Sequence, residues 1–158
     1  MPSKREYPDR PLVGVGGVVI ENGRVLLIRR GSEPRRGEWS IPGGMLELAE
    51  TLEEGVVREL REETGLQVRV LELLEVFDRI VYATEANPPG GGHNQPRFHY
   101  VIVDYLCERI SGEPLAASDV TDAKFVSETD LEDFSLTPIV LRILHKAFAL
   151  HRGRGLSS

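Results

Sequence analysis

The chain has 158 residues and one cysteine, Cys107, so it cannot close an internal disulfide. Its stability must come from its core, the usual arrangement in a reducing compartment. Aromatic residues make up 6% of the chain, and Trp39 is the single tryptophan. The histidines, His93, His99, His145 and His151, are dispersed and show no metal-ligand spacing. No apolar run approaches the roughly 20 residues of a membrane helix. The opening MPSKREYPDRP lacks the apolar centre of a signal peptide. These absences point to a cytoplasmic protein with no membrane partner. Positive charge is also short, with a formal net charge of −6. That argues against nucleic acid as a partner held by bulk electrostatics. A small anionic ligand stays open, because a bound dication can reverse the local charge.

What remains is ordinary for a globular protein, 41% hydrophobic and 28% charged. The length suits one domain with a real core. Residues 1–11 read as a flexible arm, 12–152 as the domain and 153–158 as a frayed tail.

The stretch 43–66, GGMLELAETLEEGVVRELREETGL, organises the rest. Thr51 is a good helix N-cap, and Glu54 three residues on completes a capping box. Gly65 stops the helix, since glycine adopts the left-handed conformation that follows a last turn. Leu52, Val56, Val57 and Leu60 give an apolar side for packing. Glu59, Glu62 and Glu63 share one face. Like charges so placed cost about 0.2–0.5 kcal/mol per pair, unless a cation offsets them. Oxygen donors without histidine or cysteine suit Mg²⁺, with Mn²⁺ as a substitute. Gly43 and Gly44 let the backbone approach that face, where their carbonyls can join the ligand set. Gly55, one turn before Glu59, implies a close neighbour there. The alternative is a solvated, charged helix face.

Before the helix, Val13–Ile20 reads as a buried strand weakened by Gly14, Gly16 and Gly17. Their spacing does not fit a dinucleotide fingerprint. They allow close backbone packing or leave room for a base beside the sheet. Glu21-Asn22-Gly23 marks a hairpin whose return strand is Arg24–Arg30. Arg29, Arg30, Arg35 and Arg36 lie just ahead of the carboxylate helix. Among them Arg29 and Arg36 are candidates to hold substrate phosphates, since guanidinium matches phosphate geometry. Trp39 reads as a packing residue that sets the following strand, with stacking on a base as the alternative.

After the helix, Val68–Ala83 reads as a strand, with a break near Asp78-Arg79. Residues 84–97, TEANPPGGGHNQPR, form a long loop of the kind that serves as a lid or binding loop. Phe98–Arg109 is a strong central strand, Ala123–Ser127 a short one, and Leu131–Phe134 a helical turn. Thr137 caps a last helix with Pro138 at its first position, and Gly153 ends it. Strands, helix, strands and helix in this order suggest an α+β fold, an α/β/α sandwich.

Gly44, Glu50, Arg58, Glu59, Leu60, Glu62, Glu63, Gly65 and Leu66 resemble the Nudix box at every defined position. The resemblance implies a mixed β-sheet held between helices. It also implies metal-dependent hydrolysis of a pyrophosphate bond in a nucleoside diphosphate linked to another moiety, so the expected partner is a small-molecule nucleotide. Position by position, it implies Glu59 and Glu63 as metal ligands and Glu62 as a ligand or water-activating base. The Gly43 carbonyl, beside box glycine Gly44, is a further ligand. Arg58 is an orienting ion-pair partner, and Glu50 ties the loop to the helix through Arg58. Many family members carry a base outside the box. The candidates here are Glu85, Asp119 and Asp122, and Asp122 is preferred because it precedes a short strand. Fifteen residues beyond the box, where ADP-ribose hydrolases often carry proline, stands Val81. Tyr82 fits a position where dinucleoside polyphosphate hydrolases often carry tyrosine. ADP-ribose-like diphosphates are favoured, with nucleoside triphosphates, dinucleoside polyphosphates and a non-catalytic sensing module as alternatives. A homodimer is an open possibility.

Overall fold

The computed structural model describes residues 5–32, 35–82, 95–117 and 120–155. Seven strands and two α-helices follow one another through them. β1 (Leu12–Glu21) and β2 (Arg24–Arg30) form the expected hairpin, with Asn22 and Gly23 at φ 53 and 71 in its turn. Two short strands follow, β3 (Trp39–Ser40) and β4 (Gly43–Met45), and then helix α1 (Leu52–Thr64). β5 (Gln67–Tyr82) and β6 (Pro96–Ser111) are the long antiparallel pair of the sheet. β7 (Val120–Ser127), a 3-10 helix (Glu128–Phe134) and α2 (Pro138–Gly153) complete the described chain.

The sheet is mixed, in the order β3-β2-β1-β6-β5, with β4 also on β1 and β7 on β2. β1 runs parallel to β6 and antiparallel to β4 and β2. Side-chain alternation along β1 explains the layering. Val15 and Val19 turn to one face and pack with Val56 and Leu60 of α1. Val18 and Ile20 turn to the other and pack with Ile143, Leu144, Ala147 and Phe148 of α2. A sheet with a buried core on each face is the expected α/β/α sandwich. Among the described residues no helix is long and apolar enough to cross a membrane.

Three details depart from the sequence reading. β5 is unbroken at Asp78-Arg79; its register shifts instead at Gln67/Val68, Val70/Glu72, Leu73/Glu75 and Val81/Tyr82. Each bulge changes which face later side chains occupy. The described part of the N-terminal arm is tied down. Tyr7 is buried and donates its N–H to the Arg97 carbonyl at 2.8 Å, and Arg97 bonds Glu6 at 2.7 Å. Gly153 is the last residue of α2 and Arg154 beyond it is still right-handed; the left-handed residue that follows is Gly155, at φ 69. The long loop expected at 84–97 falls largely outside the described residues, as do Glu85, His93 and Asp119.

Candidate functional site

α1 begins and ends where the sequence places it. Thr51 accepts the Glu54 N–H, the Glu54 carboxylate accepts the Thr51 N–H, and Gly65 closes the helix at φ 77. Both ends fixed, the helix holds its acidic face against β4. A Cβ on Gly44 would lie 2.4 Å from the Glu59 carboxyl, so glycine is required for this approach. Glu63 accepts the Gly43 N–H at 2.9 Å, so the loop glycine engages α1 through its amide. Gly55 answers to a similar crowding: a Cβ there would meet Leu46 at 2.8 Å and the Glu50 carboxylate at 3.1 Å.

Arg58 is the hub. Its Nε and Nη2 donate to both oxygens of Glu50, at 2.6 and 2.9 Å. Nη2 also donates to the Met45 carbonyl at 2.9 Å. Nη1 donates to Glu59 at 2.8 Å and to Glu62 at 3.2 Å. One guanidinium thus fastens the loop before α1, strand β4 and two acids of the helix face, using the fork geometry that lysine lacks. The Arg58 bond holds Glu50 below the usual carboxylate range, and Glu50 in turn raises Arg58. Glu59 goes the other way. Its side chain is 13% exposed, and burial outweighs Arg58 to push its pKa up. Glu62 is 47% exposed, the more accessible of the two helix acids on Arg58 Nη1; Glu47, on the loop before α1, lies 3.6 Å from the same nitrogen and is 66% exposed.

Among the described residues, no three histidine, cysteine, aspartate or glutamate side chains already converge as a metal cluster. Glu59 and Glu62 are drawn to Arg58, and Glu63 to the Gly43 amide. The donor set still fits a hard dication: carboxylate oxygens on one rigid helix face, one of them desolvated, beside a strand with no side chains in the way.

The other sequence candidates lie elsewhere. Arg29 donates to the Gly37 carbonyl at 3.2 Å, and Arg36 is exposed. The charges of Arg5 and Arg30 both act on Tyr100, whose pKa burial nonetheless pushes up. Arg5 also acts on Glu59. Asp122 accepts the N–H of its neighbour Ala123 at 2.8 Å. Alternation puts it with Lys124 and Val126, on the face opposite Ala123 and Phe125, which pack toward α1. Tyr82 is 55% exposed at the end of β5, in an outward row with Val76 and Ile80. Alternation therefore puts Asp122 on the sheet face opposite α1, while Tyr82 stands exposed at the end of β5. Trp39 packs as expected, edge-on to Phe134 with centroids 5.1 Å apart.

A glycine loop leading into a helix that presents carboxylates, inside an α/β/α sandwich, defines a candidate cation-assisted hydrolytic site. The NUDIX domain family model matches residues 10–147, and the chain belongs to that family. It is 36% identical over 121 residues to the ADP-ribose pyrophosphatase of Methanocaldococcus jannaschii, covering 77% of this chain and 64% of that protein. The chain thus spans a little under two thirds of that relative. It is 41% identical over 110 residues to a MutT-like protein of Streptomyces ambofaciens, covering 66% of this chain and 70% of that one. Among solved structures, a MutT NUDIX hydrolase from Burkholderia pseudomallei superposes with a TM-score of 0.71. It is 31% identical, over 87% of this chain and 98% of the other.

Proposed function

We propose that this chain hydrolyses the pyrophosphate bond of a nucleoside diphosphate linked to a second moiety, with Mg²⁺ and with ADP-ribose-like molecules as the favoured substrates. The carrying observation is the Glu59, Glu62 and Glu63 face, set by Arg58 against Gly43 and Gly44. The name of the M. jannaschii relative supports the substrate class.

Glu59 and Glu63, with the Gly43 carbonyl, are the groups that would hold the ion. When bound, Mg²⁺ supplies charge neutralisation of the phosphate oxygens and alignment for in-line attack. Glu59 is suited to this because its desolvated carboxylate gains most from a nearby positive charge. Glu62 is the accessible acid and takes the proton of the attacking water. Water adds to one phosphorus, and the bridging oxygen leaves on the other phosphoryl group. The products are a nucleoside monophosphate and the phosphorylated second moiety, with two protons released once both monoesters are fully ionised. Arg58 keeps the acids oriented and does not touch the reacting atoms.

The test is product release from a panel of ADP-ribose, nucleotide sugars, nucleoside triphosphates and dinucleoside polyphosphates with Mg²⁺ or Mn²⁺. Glu62→Gln should lower kcat by about 10²- to 10⁴-fold, and Glu63→Gln should weaken Mn²⁺ binding. No turnover of any diphosphate by protein that binds Mn²⁺ would overturn the assignment.

A further inference from the structure

The α2 face of the sheet carries an acid that the hydrolytic chemistry leaves unused. Asp104, in β6, is 4% exposed and makes no hydrogen bond among the described residues. Its carboxyl lies over Gly16 of β1. A Cβ on Gly16 would sit 2.3 Å from Asp104 Oδ1 and 3.3 Å from the Pro42 carbonyl oxygen. Opposite Asp104 on β5 stands Glu75, paired with Arg142 at 3.3 Å and near Lys146 at 4.0 Å. Burial, and then the charge of Glu75, push the Asp104 carboxyl up to about 7. Buried carboxyls are normally satisfied by a partner, and one left without is maintained against stability. A ligand that brings its own hydrogen-bond donor removes that conflict.

The surroundings restrict what the ligand is. Two acids in register repel phosphate. Next to Asp104 on the same face, Gly14 of β1 is in register with Ile102 of β6, and Ile102 with Phe77 of β5. A Cβ on Gly14 would meet only ordinary contacts, the Gly44 carbonyl at 3.7 Å and Ile102 at 3.8 Å, so the strip is low at Gly14 and apolar at Ile102 and Phe77. On its other side Gly16 is in register with Gly43, the glycine that binds Glu63. A low apolar strip with an acceptor at its edge suits a base, and β4, the strand next to Gly16, leads through the Gly43–Glu63 bond to the acidic helix on the other face of the sheet.

We propose that Asp104 recognises the nucleobase of the substrate, its carboxyl taking the exocyclic amino group of an adenine- or guanine-type base laid over Gly14, Ile102 and Phe77. This rests on the reading of the substrate as a nucleotide, and it assigns specificity to a residue outside the acidic helix.

The experiment compares matched ligands that differ by the amino group alone. Calorimetry measures binding of AMP against purine riboside 5′-monophosphate, and of GMP against IMP, to the wild type, Asp104→Asn and Asp104→Leu. The wild type should prefer the amino-bearing member of at least one pair by about tenfold or more. Asp104→Leu should erase that preference through a 10- to 100-fold weaker Kd for the amino-bearing ligand, and Asp104→Asn, which keeps an acceptor, should restore part of it. Thermal melts check that both variants fold. With ADP-ribose and Mg²⁺, Asp104→Leu should raise KM while leaving kcat within about twofold. The inference is overturned if the wild type shows no amino preference, if neither AMP nor GMP binds, or if Asp104→Leu weakens both members of a pair equally. Amino-selective binding without hydrolysis would sink the hydrolase reading alone. Hydrolysis with unchanged selectivity in both variants would sink this one alone.

Discussion

Arg58 grips both carboxylate oxygens of Glu50, at 2.6 and 2.9 Å, across the turn that leads into α1. Both side chains are largely buried, at 14% and 12% exposure, so water cannot replace either partner cheaply. Arg58→Lys removes the fork and strands Glu50. The expected loss is about 1.5–3 kcal/mol of stability, read by urea denaturation, with a weaker Mn²⁺ affinity because Glu59 and Glu62 lose their common anchor.

Gly44→Ala puts a methyl group 2.4 Å from the Glu59 carboxyl. Either the helix or β4 must shift. We expect destabilisation of about 1–3 kcal/mol and at least a tenfold fall in kcat/KM, because small displacements at a reacting centre are costly. A variant with wild-type turnover would show that the Glu59 face is not the reacting one.

Gly17→Ala and Gly14→Ala form a matched pair. At Gly17 the new methyl meets Leu60 at 2.9 Å and Val56 at 3.1 Å. At Gly14 it meets only ordinary contacts at 3.7 and 3.8 Å. Thermal melts should show a loss of about 1–3 kcal/mol for Gly17→Ala and little change for Gly14→Ala.

Asp104 introduces a pH dependence of stability. Its folded pKa, about 7, lies above the ordinary 3.8 because burial, and then Glu75, disfavour the ionised form. The folded state therefore binds more protons than the unfolded state between about pH 4 and 7. Its contribution to stability falls as pH rises through that window and is level above it. Asp104→Asn removes this slope. The stability difference between variant and wild type should be small near pH 4, grow in favour of the variant toward pH 7, and then stay constant. A difference independent of pH would contradict a raised carboxyl.

Cys107 is buried under the same sheet, and burial pushes its thiol up to about 12. It should resist an aromatic disulfide reagent in the native state and react fully after denaturation. Rapid native labelling would mean that β6 opens readily.

The local chemistry of α1 was legible because cap, stop and acidic face are all written within one short stretch, at Thr51, Glu54 and Gly65. The two strands of the first hairpin were legible for the same reason. What escaped the sequence depends on contacts between distant segments. Asp104 sits within VIVDYLC, inside a strand the sequence marks as strong, and nothing local singles it out, because Gly16, the residue that makes room for it, lies on β1. Spacing marks Tyr82 as a site candidate, but it cannot show that the ring stands 55% exposed at the end of β5, beyond the last of that strand's register shifts. Glu6 and Tyr7 read as part of a loose arm because nothing local shows that Arg97 anchors them.

Three absent side chains along β1 stand in three different settings. Gly17 yields to a helix, Gly16 to an acid, and Gly14 to no tight contact at all. Tolerance to enlargement is therefore graded over a few ångströms of one strand. Anyone reshaping ligand preference by directed evolution has one adjustable tile in that row, while its two companions are fixed by the architecture around them.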